Sequence, residues 1–258
     1  LCRVNLLRLH GKRPQMPVMK PSSSTSYLPQ QVLMIDADDT LWENNIYFEA
    51  AIERFIRIVD HPELSPVEVR SAFDTLEASR IHTHGYGTHA FHQSLIAGYE
   101  HLTNTVCTSV IADQLHQCAE SIRVADLTLL DGVHETLPRL SQKHTVILVT
   151  KGDHDEQHGK LQRSGLADHF HHVEVLREKH TAAYETLLHR YDCDPAHSWM
   201  IGNSPRSDMN PALAAGMHAV YLPHPSTWVL EQEPVASPKQ GRQLLHLTSF
   251  RELLHHFG

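Results

Sequence analysis

Two carboxylates, Asp36 and Asp38, stand two positions apart at the end of the short apolar run Val32-Leu33-Met34-Ile35, with Thr40 two positions further on. On a strand leaving a sheet, residues at i and i+2 share a side, so both acids are aimed toward one site. Crowded carboxylates require a cation or a proton between them. A hard dication such as Mg²⁺ meets that requirement with oxygen ligands, leaving Asp36 to act as a nucleophile and Asp38 as acid and base. A turn rich in Asp is the plainer alternative for the same residues.

Three further apolar runs end in polar residues of their own. Val146-Ile147-Leu148-Val149 is followed by Thr150-Lys151-Gly152, and Asp153 with Glu156 gives the next helix a capping-box-like start. A hydroxyl beside helix N-terminal N–H groups makes a cradle for an anion. Val173-Glu174-Val175-Leu176 leads to Lys179, and Trp199-Met200-Ile201 leads to Gly202-Asn203-Ser204 and on to Asp208. Singly, a strand-end Thr, a lone Lys and a Gly-Asn-Ser turn are ordinary structural features. Their common placement singles them out, because ligands of an open parallel sheet lie beyond the carboxyl ends of its strands, at the topological switch point.

The elements that position these residues show as changes of period. The apolar runs, with Ala219-Val220-Tyr221-Leu222 as another, alternate with helix-length segments, the pattern of a parallel sheet. Between the first two runs the spacing turns helical: Phe48, Ala51, Ile52, Phe55, Ile56 and Val59 form an amphipathic stripe with Asn45 as the expected N-cap. Helical patterns continue around 66–79, 90–101 and 106–122, broken by His82-Thr83-His84-Gly85-Tyr86-Gly87. The expected fold class is α/β, a doubly wound, mostly parallel sheet built from 31–43 and 130–258, with an all-α insertion over 44–129. A proline-rich loop over 223–241 precedes a final short strand and helix.

From about residue 31 to 258 the ordered motifs resemble those of the haloacid dehalogenase-like (HAD) superfamily of hydrolases. Asp36-Ala37-Asp38-Asp39-Thr40-Leu41 looks like its first motif, Thr150 its second, Lys179 its third, and Gly202-Asn203-Ser204 through Asp208 its fourth. Thr150 lies 114 residues after Asp36, whereas Lys179 and Asp208 follow at steps of 29. The resemblance implies a Rossmann-like core with a helical C1-type cap and phosphoryl transfer through an aspartyl-phosphate. Asp36 would attack phosphorus, and Asp38 would protonate the leaving oxygen and then activate water. Thr150 and Lys179 would hold the phosphoryl oxygens, and Asp36, the main-chain carbonyl of Asp38, Asn203 and Asp208 would bind Mg²⁺. Thr40, Lys151 and Tyr86 complete the expected substrate-binding set. The Asp38 carboxylate separates the phosphatase branch from the dehalogenase branch. Asn203 departs from the Asp usual at its place, which implies weaker metal affinity, and the third motif lacks the common Lys-Pro pair.

Composition bounds the partners. With 41% hydrophobic and 20% charged residues, the chain has an ordinary soluble globular makeup, and no apolar run is long enough to span a membrane. A net charge of −8 opposes general nucleic-acid binding. Residues 1–30 carry five basic residues and no acid, with prolines and a serine run, and are expected to be a disordered extension. Four cysteines without CxxC spacing indicate reduced thiols and a cytoplasmic protein. The 23 histidines include His82, His84, His89 and His92, expected to be ordinary polar residues, some lining a cleft. The function expected is a Mg²⁺-dependent phosphomonoester hydrolase acting on a small phosphorylated metabolite. A catalytically silent phospho-ligand-binding protein and a phosphotransferase or mutase are the alternatives.

Overall fold

The computed structural model describes residues 30–258, so the expectation for the basic tail falls, Gln30 apart, outside the described residues. The apolar runs become β1 (Val32–Ile35), β2 (Thr145–Lys151), β3 (His172–Leu176), β4 (Ser198–Gly202), β5 (His218–Tyr221) and β6 (Leu244–His246). They form one sheet in the order β3-β2-β1-β4-β5-β6 with every pairing parallel. The winding reverses between β1 and β4. Their register sets Ile35 opposite Ile201, and the Asp36 N–H donates to the Ile201 carbonyl at 2.9 Å. Residues just beyond both strands therefore emerge side by side in the crevice where such sheets bind ligands.

Two apolar layers close on the sheet. Leu33, Ile35, Val146 and Leu148 pack with α5 (Val133–Ser141), Leu161 of α6 (His154–Ser164) and α9 (Leu253–Phe257). On the other layer Met34, Ile147, Val149 and Met200 pack with α7 (Thr181–Arg190) and α8 (Asn210–Ala214). Burial on both layers explains why the strands read as continuous apolar runs rather than alternating ones.

Between β1 and β2 lie α1 (Asn45–Val59), α2 (Pro66–His84), α3 (Thr88–Thr103) and α4 (Ser109–Arg123). They surround an apolar cluster of their own, with Phe55 and Phe73 at 4.8 Å between ring centroids and Phe48 and Phe91 at 5.1 Å. The chain leaves the sheet and returns to it through one narrow neck: Glu43 N–H donates to the Thr128 carbonyl and Leu130 N–H to that of Leu41, each at 2.9 Å. α2 runs five residues beyond the 66–79 expected from its pattern, from a full Ser65/Glu68 capping box to Gly85 at φ +74°. Asn45 is not the N-cap of α1. Asn44 holds that place, and the helix start is satisfied from outside by Asp39, whose carboxylate accepts from the N–H groups of Asn44 and Asn45 at 2.9 and 3.1 Å. The left-handed backbone of Asp39, at φ 59°, swings its side chain over the helix end. Among the described residues no helix is long and apolar enough to cross a membrane.

Gly98 of α3 is a close helix contact in the helical block, because a Cβ there would stand 2.9 Å from the Phe73 ring and 3.2 Å from Phe55. Gly98→Ala is expected to overpack the block and cost about 1–3 kcal/mol, read as a lowered midpoint in urea denaturation.

Candidate active site

Lys179 lies in the loop after β3, 4% exposed, and its ammonium donates to two carboxylates, Asp36 Oδ1 and Asp208 Oδ1, the latter at 2.8 Å. Asp36 follows β1 and Asp208 sits in the π-helical turn Pro205–Met209 after β4, so the switch point brings all three together. Thr40 donates to Asp36 Oδ2 at 3.0 Å, and Ser204 N–H to Asp208 Oδ2 at 3.0 Å. A Cβ at Gly202 would collide with the Asp208 carboxylate, so this packing requires glycine. Burial pushes the Asp36 and Asp208 carboxyls up, and Lys179 offsets only part of that. Burial alone would lower the Lys179 ammonium, but Asp208 and Asp36 outweigh it and hold it protonated.

Asp38 is held apart from this group. Its Oδ1 accepts from Trp42 Nε1 at 2.7 Å and Lys160 Nζ at 2.8 Å, and its Oδ2 from Gln157 Nε2 at 2.9 Å. Burial raises this carboxyl, yet the Lys160 charge and the donated hydrogen bonds prevail and hold it below the usual range, ionised.

Lys151 does not present a free charge. Its ammonium is paired with Glu231, donates to Ser207 Oγ at 2.9 Å and to the Tyr86 hydroxyl at 3.3 Å, and lies 4.5 Å from the Tyr86 ring centroid. Tyr86 in turn donates to Glu178 at 2.9 Å, tying the α2–α3 turn to the loop after β3. Glu156 ties α3 itself. Its carboxylate accepts from the Thr88 N–H at 3.0 Å at the start of that helix instead of completing a capping box on α6, where Asp153 alone caps.

A cavity of about 150 Å³ opens over these groups. Of the site residues expected from sequence, Asp36, Asp38, Tyr86, Thr150, Lys151, Lys179, Asn203 and Asp208 line it, and Thr40 does not. The backbone turns back at Ala37, whose carbonyl accepts from Thr40 and Leu41, so the Thr40 hydroxyl faces Asp36 rather than the cavity. Thr150 is 1% exposed, and its hydroxyl has no partner among the described residues. None of His82, His84, His89 and His92 lines this cavity, although His82 lines a neighbouring one. Sequence reasoning missed Gln157, Lys160, Ser207 and Glu231. It also missed Asp39, Glu43 and His224, whose ligand-type atoms lie within 4.8 Å of one another at the start of α1.

Residues 33–222 match the family described as haloacid dehalogenase-like hydrolase, and the chain belongs to that family. Among particular relatives, it is 24% identical over 200 residues to the glyceraldehyde 3-phosphate phosphatase of Pyrococcus furiosus, which covers 74% of this chain and 80% of that protein. A haloacid dehalogenase-like family hydrolase from Xanthomonas campestris superposes with a TM-score of 0.74 at 25% identity, covering 89% of this chain and 96% of that one. The L-2-haloacid dehalogenase of Xanthobacter autotrophicus shares the fold, with a TM-score of 0.59 at 14% identity, covering 88% and 97%.

The helical wall of the cavity carries one acid, Glu77 of α2, 8% exposed. Burial raises its carboxyl from the ordinary 4.5 to about 7, with Asp74 and Glu49 adding to the rise and Arg70 opposing it. Between those pH values the folded chain binds more protons than the unfolded one, so the stability tied to this group is whole below the unfolded value and lost as pH rises through the folded one. Glu77→Gln lacks this loss. Its stability advantage over the wild type is expected to grow from pH 4.5 to pH 8, reaching about 2–3 kcal/mol in chemical denaturation. A difference that does not change with pH would contradict this.

Proposed function

We propose that this chain is a Mg²⁺-dependent phosphomonoester hydrolase that works through an aspartyl-phosphate on Asp36 and takes a small phosphorylated metabolite. The observation that carries this reading is the pairing of two buried carboxylates, Asp36 and Asp208, with the single ammonium of Lys179 in a cavity that Asp38 and Thr150 also line. The name of the Pyrococcus furiosus relative, a sugar-phosphate phosphatase, supports it.

The donor set fits a hard dication. Its atoms are oxygens, and two carboxylates against one ammonium leave an excess of buried negative charge. Asp36, Asp208, the Asn203 amide oxygen and the main-chain carbonyl of Asp38 would hold the ion. When bound, it supplies positive charge against the phosphoryl oxygens.

The chain's own residues do the rest. Thr40 and Lys179 fix the Asp36 carboxylate from both oxygens, which orients it for attack. The Asp36 oxygen bonds to phosphorus as the bond to the leaving alcohol breaks, and the free Thr150 hydroxyl is available to a phosphoryl oxygen. Asp38 gives a proton to the departing oxygen and regains one from the water that hydrolyses the intermediate. In the resting site it is ionised, the form suited to the water step. A phosphate dianion beside it raises its proton affinity by like-charge repulsion, so it is loaded for the first step only when substrate is present. Phe48, Glu77 and Phe91 line the cavity from α1, α2 and α3, and the helical block acts as the lid that excludes water.

p-Nitrophenyl phosphate is expected to be hydrolysed with Mg²⁺, to stop with EDTA, to resume on re-adding Mg²⁺, and to fall to background in Asp36→Asn. Halide release from a 2-haloacid without phosphate release would overturn the proposal. Asn203→Asp adds a fourth-motif carboxylate and is expected to lower the Mg²⁺ concentration for half-maximal rate by about three- to tenfold, read from a metal titration of the rate.

A further inference from the structure

We propose that the helical end of the cavity is a subsite for an ammonium group on the leaving alcohol, with Glu77 as its counter-ion. This rests on the phosphatase reading for the position of the phosphate, and it narrows the substrate class to phosphomonoesters of amino alcohols.

Glu77 points into the cavity from α2 and is more than nine-tenths buried, yet its carboxylate makes no hydrogen bond or ion pair among the described residues. A buried carboxylate without a partner is costly, and the cost is met by a proton or by a counter-ion. The neighbouring bases do not answer. The Arg70 guanidinium is tied to Glu49, at 2.9 Å from Nη2 to Oε1, and to Asp74, at 2.7 Å from Nε. Arg80, one turn along α2 from Glu77, makes no ion pair with it, and its Nε is itself buried without a partner. Glu49 and Asp74 thus already engage the Arg70 guanidinium, and neither arginine forms an ion pair with Glu77 among the described residues.

The surroundings decide what the missing partner is. Phe48, Ile52, Ile81 and Phe91 line the same wall, with the buried Ser94 beside them. A wholly apolar leaving group would bury Glu77 unanswered, and an acidic one would be repelled. A hydroxyl would donate one hydrogen bond but leave the excess charge in place. An ammonium supplies both donor and charge, and aromatic faces attract it further. On the sheet side of the cavity Lys179 and the expected metal ligands would take the phosphate, so an alcohol with phosphate at one end and ammonium at the other matches the charged groups of its two walls.

Binding of three matched, non-hydrolysable probes tests this without turnover: 3-aminopropylphosphonate, 3-hydroxypropylphosphonate and butylphosphonate, titrated by calorimetry at pH 8, where Glu77 is ionised, into the full chain with Mg²⁺. The amino compound is expected to bind at least about tenfold tighter than either partner, and in Glu77→Gln the three should agree within about twofold. Equal binding by the wild type, tighter binding of the hydroxy compound, or a preference kept in Glu77→Gln overturns the subsite. Should that variant fail to fold, the wild-type ranking alone decides. p-Nitrophenyl phosphate hydrolysis by the same preparation reports separately on the phosphatase reading: no turnover together with a clear ammonium preference would discard the reaction and keep the subsite.

Discussion

One ammonium holding two buried carboxylates is the constraint on which the site is built. Lys179 meets Asp36 and Asp208 at once and offsets part of the burial that pushes both carboxyls toward the neutral form. That demand reaches into the backbone. β1 and β4 must end level, Gly202 must lack a side chain, and Ser204 must begin a turn of π-helix so that Asp208 comes back over the strand it follows. The same ion pairing leaves negative charge in excess, which is the physical reason the site suits a dication and an electrophilic phosphorus.

Around this centre two further acids are matched with bases, Asp38 with Lys160 and Glu231 with Lys151. Each pair joins separate parts of the chain: Asp38 follows β1 and Lys160 is on α6, while Lys151 ends β2 and Glu231 sits in the proline-rich loop. These pairs position groups and shape the chamber, and their charges are largely cancelled toward a ligand. Glu77, the acid of the helical wall, lacks such a partner.

The strands and the residues at their ends were legible because burial on both layers leaves an unbroken apolar run, and a polar residue that ends one is conspicuous. Asp36, Thr150, Lys179 and Asp208 all came from that signal. Lys160 and Gln157 were not, since they lie on α6, whose surface is polar throughout and offers no contrast. Glu231 comes from a loop without period. Glu77 did carry a signal: it continues the stripe Val69, Phe73 at the four-residue step that leads on to Ile81, so an acid occupies an inward position of a helix. The misplaced Asn45 cap and the inward-facing Thr40 share one cause, the left-handed turn at Asp39, which no spacing rule announces.

The neck at Leu41–Glu43 and Thr128–Leu130 has a consequence for how the chain reaches its native form. β1 and β2 are neighbours in the sheet yet more than a hundred residues apart in sequence, a separation that would make their meeting slow if the intervening chain were loose. If the four helices condense first around their own aromatic cluster, the two ends would be delivered side by side, and a long-range pairing would become a local one. An insert with equally close ends, whatever its interior, could be exchanged there without disturbing the register of the strands beneath it.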